Sequence, residues 1–190
     1  PVYNYVGEIC VEGIETFEEI LDSLKDKTIL VLDKCWDCWD KVYALLKEKD
    51  MVDQTIFKFY LKDEEPMVWA KAHKDCIFIP MCGDPDMFPK LLELREHAGL
   101  PAVEILPHAE DEPIFSDETF RWLEEHHIKV WCNSLSLARR LVYGAGYDDL
   151  KSLRYGGDKG WGVLIDKGVQ ILQTDWPHEV ACYLKEKKMR

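Results

Sequence analysis

Short runs of apolar residues alternate along this chain with stretches whose apolar positions recur every three or four residues. The first clear switch comes at Thr16. With Glu19 three residues later it forms a capping-box pattern, and Phe17, Ile20, Leu21 and Leu24 follow at helical spacing. Apolar runs of strand length then predict β-strands over 28–33, 54–59, 76–82, 102–106, 128–133 and 169–174. Between and after them, amphipathic patterns predict helices over 38–49, 63–73, 86–98, 116–127, 135–143, 160–167 and 178–187. Stop signals agree with this division. Gly99 and Pro101 close one helix, Gly144 another, Gly168 precedes the last strand, and Pro177 sits where a first helical turn begins.

Repeated β-then-α units predict an α/β fold with a parallel sheet covered by helices. The runs are apolar on both faces, as parallel strands buried on both sides require. An open doubly wound sheet and part of a (β/α) TIM barrel both fit this order, and periodicity does not choose between them. No linker or shift in composition divides residues 1–190, so a single domain is expected.

Composition narrows the function classes. The chain has 190 residues, 47% of them hydrophobic, enough for a sizeable core. Its net charge of −12 disfavours nucleic-acid backbones and anionic membranes, although a local lysine or a bound cation can reverse the field inside a cleft. No apolar run is long enough to predict a transmembrane segment. The seven cysteines, at 10, 35, 38, 76, 82, 132 and 182, are odd in number and scattered. They read as free thiols of a reducing, cytoplasmic setting better than as a disulfide framework. The chain begins at Pro1, from which the loss of an upstream portion is expected, and a signal peptide there is not excluded.

A polar residue stands at or near the carboxyl end of strand after strand: Asp33, Lys58, Glu104, Asn133, Gln173 and Asp175. That edge is where parallel α/β folds bind ligands. Each of these residues has a plainer reading as a helix cap or turn former, which their recurrence in register weakens. Asp33, following an apolar run, is costly to bury unless paired or metal-bound. Lys34 beside it would face the opposite way if the strand continued. Lys58, amid Phe57, Phe59 and Tyr60, either snorkels outward or addresses an anion. Trp131 and Asn133 share a strand face, as do Gln173 and Asp175. An aromatic beside an amide suits a small polar ligand with an apolar part, while Trp131 serves equally well as core and Asp175 as a helix cap.

Other motifs carry less. Cys35-Trp36-Asp37-Cys38 has redox-type spacing, but no second pair of ligands completes a zinc site, and Trp36, Trp39 and Val42 read as the buried face of a helix. No histidine has a serine or cysteine close in sequence that suggests a triad. The glycines of 144–162 lack the spacing of a dinucleotide fingerprint and predict a flexible loop over the strand-end face.

Taken in order, several segments resemble the glycerophosphodiester phosphodiesterase family. Ile14–Leu21 (IETFEEIL) is similar to its "I-P-T-L-E-E-x-L" helix start, with Glu15 in place of the usual proline. Leu30-Val31-Leu32-Asp33-Lys34 resembles the next strand, and Gln54-Thr55-Ile56-Phe57-Lys58 a "Q-V-I-F-K" strand. Val130–Leu135 (VWCNSL) and Gly168–Pro177 (GVQILQTDWP) resemble "V-W-V-N-S-L" and the closing "G-V-D-x-I-x-T-D-x-P".

The resemblance implies strands three to eight of a TIM barrel, N-terminally truncated, with its first two βα units missing. It implies a phosphoric diester hydrolase that releases glycerol phosphate and an alcohol with the help of a divalent cation, Mg²⁺ or Ca²⁺. Asp33 would ligate the cation. Lys34, Lys58, Glu104, Trp131, Asn133, Gln173 and Asp175 would line the site of a small phosphodiester substrate. The family's "H-R-G" and "E-x-D" segments have no counterpart here, so the chain alone is expected to be inactive, with no catalytic residue of its own. A non-catalytic phosphodiester- or partner-binding relative is the alternative. Unpaired sheet edges would favour a homo-oligomer.

Overall fold

The structure is a computed structural model that describes residues 2–3, 9–10, 13–136 and 142–188, with side chains described from residue 13 onward. It opens with a short antiparallel pair, β1 (Val2–Tyr3) and β2 (Ile9–Cys10). Helix α1 (Phe17–Leu24) begins where the capping box predicts. The Glu19 backbone N–H donates to Thr16 Oγ1 at 3.2 Å, and the Thr16 N–H donates to Glu19 Oε2 at 2.7 Å.

Strand and helix then alternate. β3 (Leu30–Leu32) leads to α2 (Trp39–Lys49), and β4 (Thr55–Phe57) to α3 (Glu64–Ala72). β5 (Ile77–Phe78) and β6 (Met81–Cys82) precede α4 (Pro89–Arg95), and β7 (Ala102–Ile105) precedes α5 (Asp117–Glu125). β8 (Lys129–Asn133) is followed by α6 (Asp149–Tyr155) and α7 (Trp161–Lys167), and β9 (Ile171–Gln173) by α8 (Pro177–Glu186).

The strand predicted over 76–82 is in fact two. Proline at position 80 has no N–H to donate to a ladder. On one side of it the Ile79 N–H reaches back to Phe57 O at 3.0 Å. On the other, Pro80 O accepts forward from the Glu104 N–H at 2.9 Å. β5 therefore pairs with β4 and β6 with β7, and a parallel bridge between Tyr60 and Met81 links the two halves.

Every pairing from β3 to β9 is parallel and joins neighbours in chain order. A doubly wound sheet reverses its strand order, whereas this one does not. Among the described residues β3 and β9 have one strand neighbour each, so a closed barrel is not formed by them.

The two faces of the sheet differ. The outer face packs on the helices through the main core, where Trp39 lies edge-on to Phe57 and Phe59 at 5.5 and 5.8 Å and tilted against Trp69 at 4.8 Å. The inner face holds a second, small cluster of Ile79, Ala102 and Trp131, with Ile56 and Ile171 packed against it. The same face includes Val31, which is 41% exposed.

One other prediction is corrected, and one lies largely outside the described residues. The glycine-rich stretch is not a flexible loop but two helices in close contact. A Cβ on Gly157 or Gly162 would lie 2.4 Å from Tyr183 atoms, so both glycines are needed to seat that ring against α7. Gly160 is needed for the same reason, since a Cβ there would meet Ser152 Oγ at 1.9 Å. The helix expected over 135–143 falls largely on 137–141, outside the described residues.

Candidate functional site on the inner face

Side chains alternate along a strand, so register fixes which polar residues share the inner face. Glu104 is paired with Trp131, and the Lys58 backbone N–H donates to Leu32 O at 3.1 Å. This brings Lys58, Glu104 and Trp131 together, with Asp33 at the end of β3 on the same side. Lys58 and Glu104 are each 2% exposed and form an ion pair through Nζ and Oε2. The Lys58 ammonium also sits over the Trp131 ring, 5.1 Å from its centroid.

Burial pushes the Glu104 carboxyl above the ordinary carboxylate range. Lys58 pulls it back, and the field of Asp33 adds a smaller upward push. Lys58 thus does not snorkel. Its charge is held inside, against a carboxylate.

The other expected residues fare differently. Asp33 and Lys34 are both exposed, because the strand ends at Leu32 and Lys34 turns away with φ of 56°. Asn133 is buried, and its Oδ1 accepts from the Leu135 N–H at 2.8 Å, which commits it to the turn after β8. Gln173 lies beside it on the same face, where Asn133 and Gln173 are register partners. Asp175 is exposed at the start of α8, and what it contributes inward is its backbone N–H.

That N–H donates to Asp149 Oδ2 at 3.0 Å, part of a network that the sequence did not reveal. Asp149 is 1% exposed. Its Oδ1 accepts from Ser134 Oγ at 2.7 Å, Trp161 Nε1 at 2.7 Å and Thr174 Oγ1 at 2.8 Å. One carboxylate thereby joins the ends of β8 and β9 to α6 and α7. The available signal was Asp148-Asp149 ahead of Leu150 and Leu153, a capped helix start inside the presumed loop.

Beyond the strand ends lies a cleft of about 710 Å³ lined by Tyr60, Met81, Leu106, His108, Glu112 and Tyr143. Tyr60 joins it to the inner face. Burial raises the Tyr60 phenol most, followed by the fields of Tyr143, Asp33 and Glu104. His108 Nδ1 lies 2.6 Å from the Val142 carbonyl oxygen.

A divalent cation takes about six or more oxygen ligands. Among the described residues no three His, Cys, Asp or Glu side chains converge in a cation-holding group, and Glu104 is already neutralised by Lys58. These residues do not by themselves fit a catalytic metal. Cys35 and Cys38 flank the short helical turn that leads into α2. Both thiols are free, and burial pushes the Cys35 thiol up, whereas a reactive thiol is held down.

This geometry defines the class: an α/β protein with a parallel sheet in chain order and a polar cluster on the inner face near the carboxyl ends of its strands. A family model described as a domain of unknown function, DUF4996, matches residues 80–184, more than half of the chain. The protein belongs to the DUF4996 family. Its fold is similar to that of a glycerophosphoryl diester phosphodiesterase from Parabacteroides distasonis, with a TM-score of 0.71 and 17% sequence identity. The similarity covers 97% of this chain and 60% of the other, and at that identity it is a likeness of fold alone. No curated protein matches the chain.

Proposed function

We propose that this chain is the ligand-binding part of an incomplete barrel of the glycerophosphodiester phosphodiesterase type, and that alone it binds a small phosphodiester without cleaving it. The observation that carries the reading is the convergence of Lys58, Glu104 and Trp131 from three strands onto the inner face. The likeness of fold supports it, and so do the segments that resemble the family in order.

Asp33, exposed and with no ion pair among the described residues, would be a lone cation ligand in a larger assembly. The cleft beyond Tyr60 is where the alcohol portion of a diester would extend.

The test is calorimetric titration of the protein with a glycerophosphodiester, beside an assay for released alcohol with Mg²⁺ or Ca²⁺ present. Saturable heat without release is expected. Release above the buffer rate would overturn the inactivity, and the absence of binding to any glycerophosphodiester would overturn the reading itself.

A further inference from the structure

Trp131 and Gln173 share the inner face of adjacent parallel strands. Trp131 pairs with Ile171 and Asn133 with Gln173, so the two side chains are diagonal neighbours, about 8 Å apart at Cα by sheet geometry. Trp131 is 8% exposed. Among the described residues, neither its Nε1–H nor Gln173 Oε1 has a hydrogen-bond partner, although both atoms are buried. A buried polar atom without a partner costs free energy, and a donor and an acceptor at diagonal positions of one face specify their complement. One is a donor and the other an acceptor. The group that satisfies both at once is a hydroxyl, which accepts with its lone pairs and donates its proton.

The surroundings select a neutral part of the ligand. Lys58, the buried cation of this face, is closed on Glu104, and its ammonium covers the Trp131 ring. What the indole has left to offer is its N–H. An anion placed beside it would face the Glu104 and Asp33 carboxylates and would find the compensating ammonium already engaged. Ile79, Ala102 and Ile171 supply an apolar floor for carbon-bound hydrogens.

We propose that Trp131 Nε1–H and Gln173 Oε1 clasp a hydroxyl group of a neutral polyol moiety, while the Lys58–Glu104 pair beside them stays closed. The inference rests on the phosphodiester reading for the class of ligand, and it assigns the inner face to the hydroxyl end of that ligand rather than to the phosphate.

The experiment follows the indole N–H resonances of the ¹⁵N-labelled protein during titration with glycerol, with sn-glycerol 3-phosphate and with inorganic phosphate. The Trp131 signal is identified by its loss in Trp131→Phe. Glycerol and sn-glycerol 3-phosphate should each move it saturably, and inorganic phosphate should not. Gln173→Leu should weaken the response about tenfold, the loss of one well-placed hydrogen bond.

A saturable shift with inorganic phosphate alone would overturn the proposal. So would a glycerol response no larger at Trp131 than at the other indoles, which is the behaviour of a site holding only water, or an affinity unchanged in Gln173→Leu. If a glycerophosphodiester binds calorimetrically while Trp131 stays still, this inference falls and the phosphodiester reading stands. If glycerol moves Trp131 but no glycerophosphodiester binds, the phosphodiester reading falls instead.

Discussion

Two carboxylates are buried near the strand ends of this protein, and they are kept there by opposite means. Asp149 meets four neutral donors: the side chains of Ser134, Trp161 and Thr174, and the Asp175 backbone N–H. Glu104 meets one charged partner, Lys58, amid apolar and aromatic neighbours. The neutral donors come from fixed positions on several elements, so Asp149 acts as a rivet. The ion pair depends on the mutual attraction of two groups that are each expensive to bury. It lies on the inner face, where a ligand can alter its surroundings. The contrast separates a carboxylate tied by neutral donors to several elements from one held by a single cation on the inner face.

The strongest way to break the contrast is Asp149→Ala. It strands four donors at once and is expected to cost about 4 kcal/mol, measured by urea unfolding. A loss below about 1 kcal/mol would show that the network is not structural.

Lys58→Met is expected to cost about 3 kcal/mol at neutral pH, because it leaves Glu104 buried without its cation. That cost should depend on pH. The native Glu104 carboxyl already lies above its unfolded value, so the native state holds a proton that the unfolded chain has released, and stability falls as pH rises through that window. Without Lys58 the window extends upward. The deficit of Lys58→Met should therefore be full above it and shrink as pH falls toward the ordinary carboxylate range. A deficit that does not change with pH would show that Glu104 is not its cause.

Lys58→Met combined with Glu104→Leu should return to within about 1 kcal/mol of wild type, because an apolar pair of similar volume replaces a buried ion pair at little cost. No such rescue is available to Asp149, whose donors would remain.

The smallest effect concerns the thiols, whose reactivity burial chiefly sets. Cys76 and Cys132 are pushed up to about 12, and Cys82 to about 11. Cys38 and Cys182 are exposed. Maleimide at neutral pH should label those two first, and Cys76, Cys82 and Cys132 only on unfolding. Rapid native labelling of Cys132 would contradict its burial in the sheet. The Cys10 side chain lies outside the described residues.

Much of the fold was legible in the order of residues, because helix and strand periods are local. The capping box of Thr16 and Glu19 and the strand runs ahead of Asp33 and Lys58 all fall within a few positions of where they were expected. The break at Pro80 was less visible, because it depends on which neighbours the two halves pair with. No helix of the described residues is long and apolar enough to cross a membrane, as the apolar runs indicated.

The site was legible only as a set of residue types at strand ends. By itself the sequence placed Lys58, Glu104, Trp131 and Gln173 at or near strand ends, and alternation along a strand put Trp131 on one face with Asn133. Only the tertiary structure decided that Lys58 is closed on Glu104, that Asn133 is committed to its own turn, and that Asp149 is the hub of a network. The first and last of those outcomes depend on distances between residues remote in the chain, which register, strand order and helix packing set together, and the Asn133 turn depends on where β8 ends.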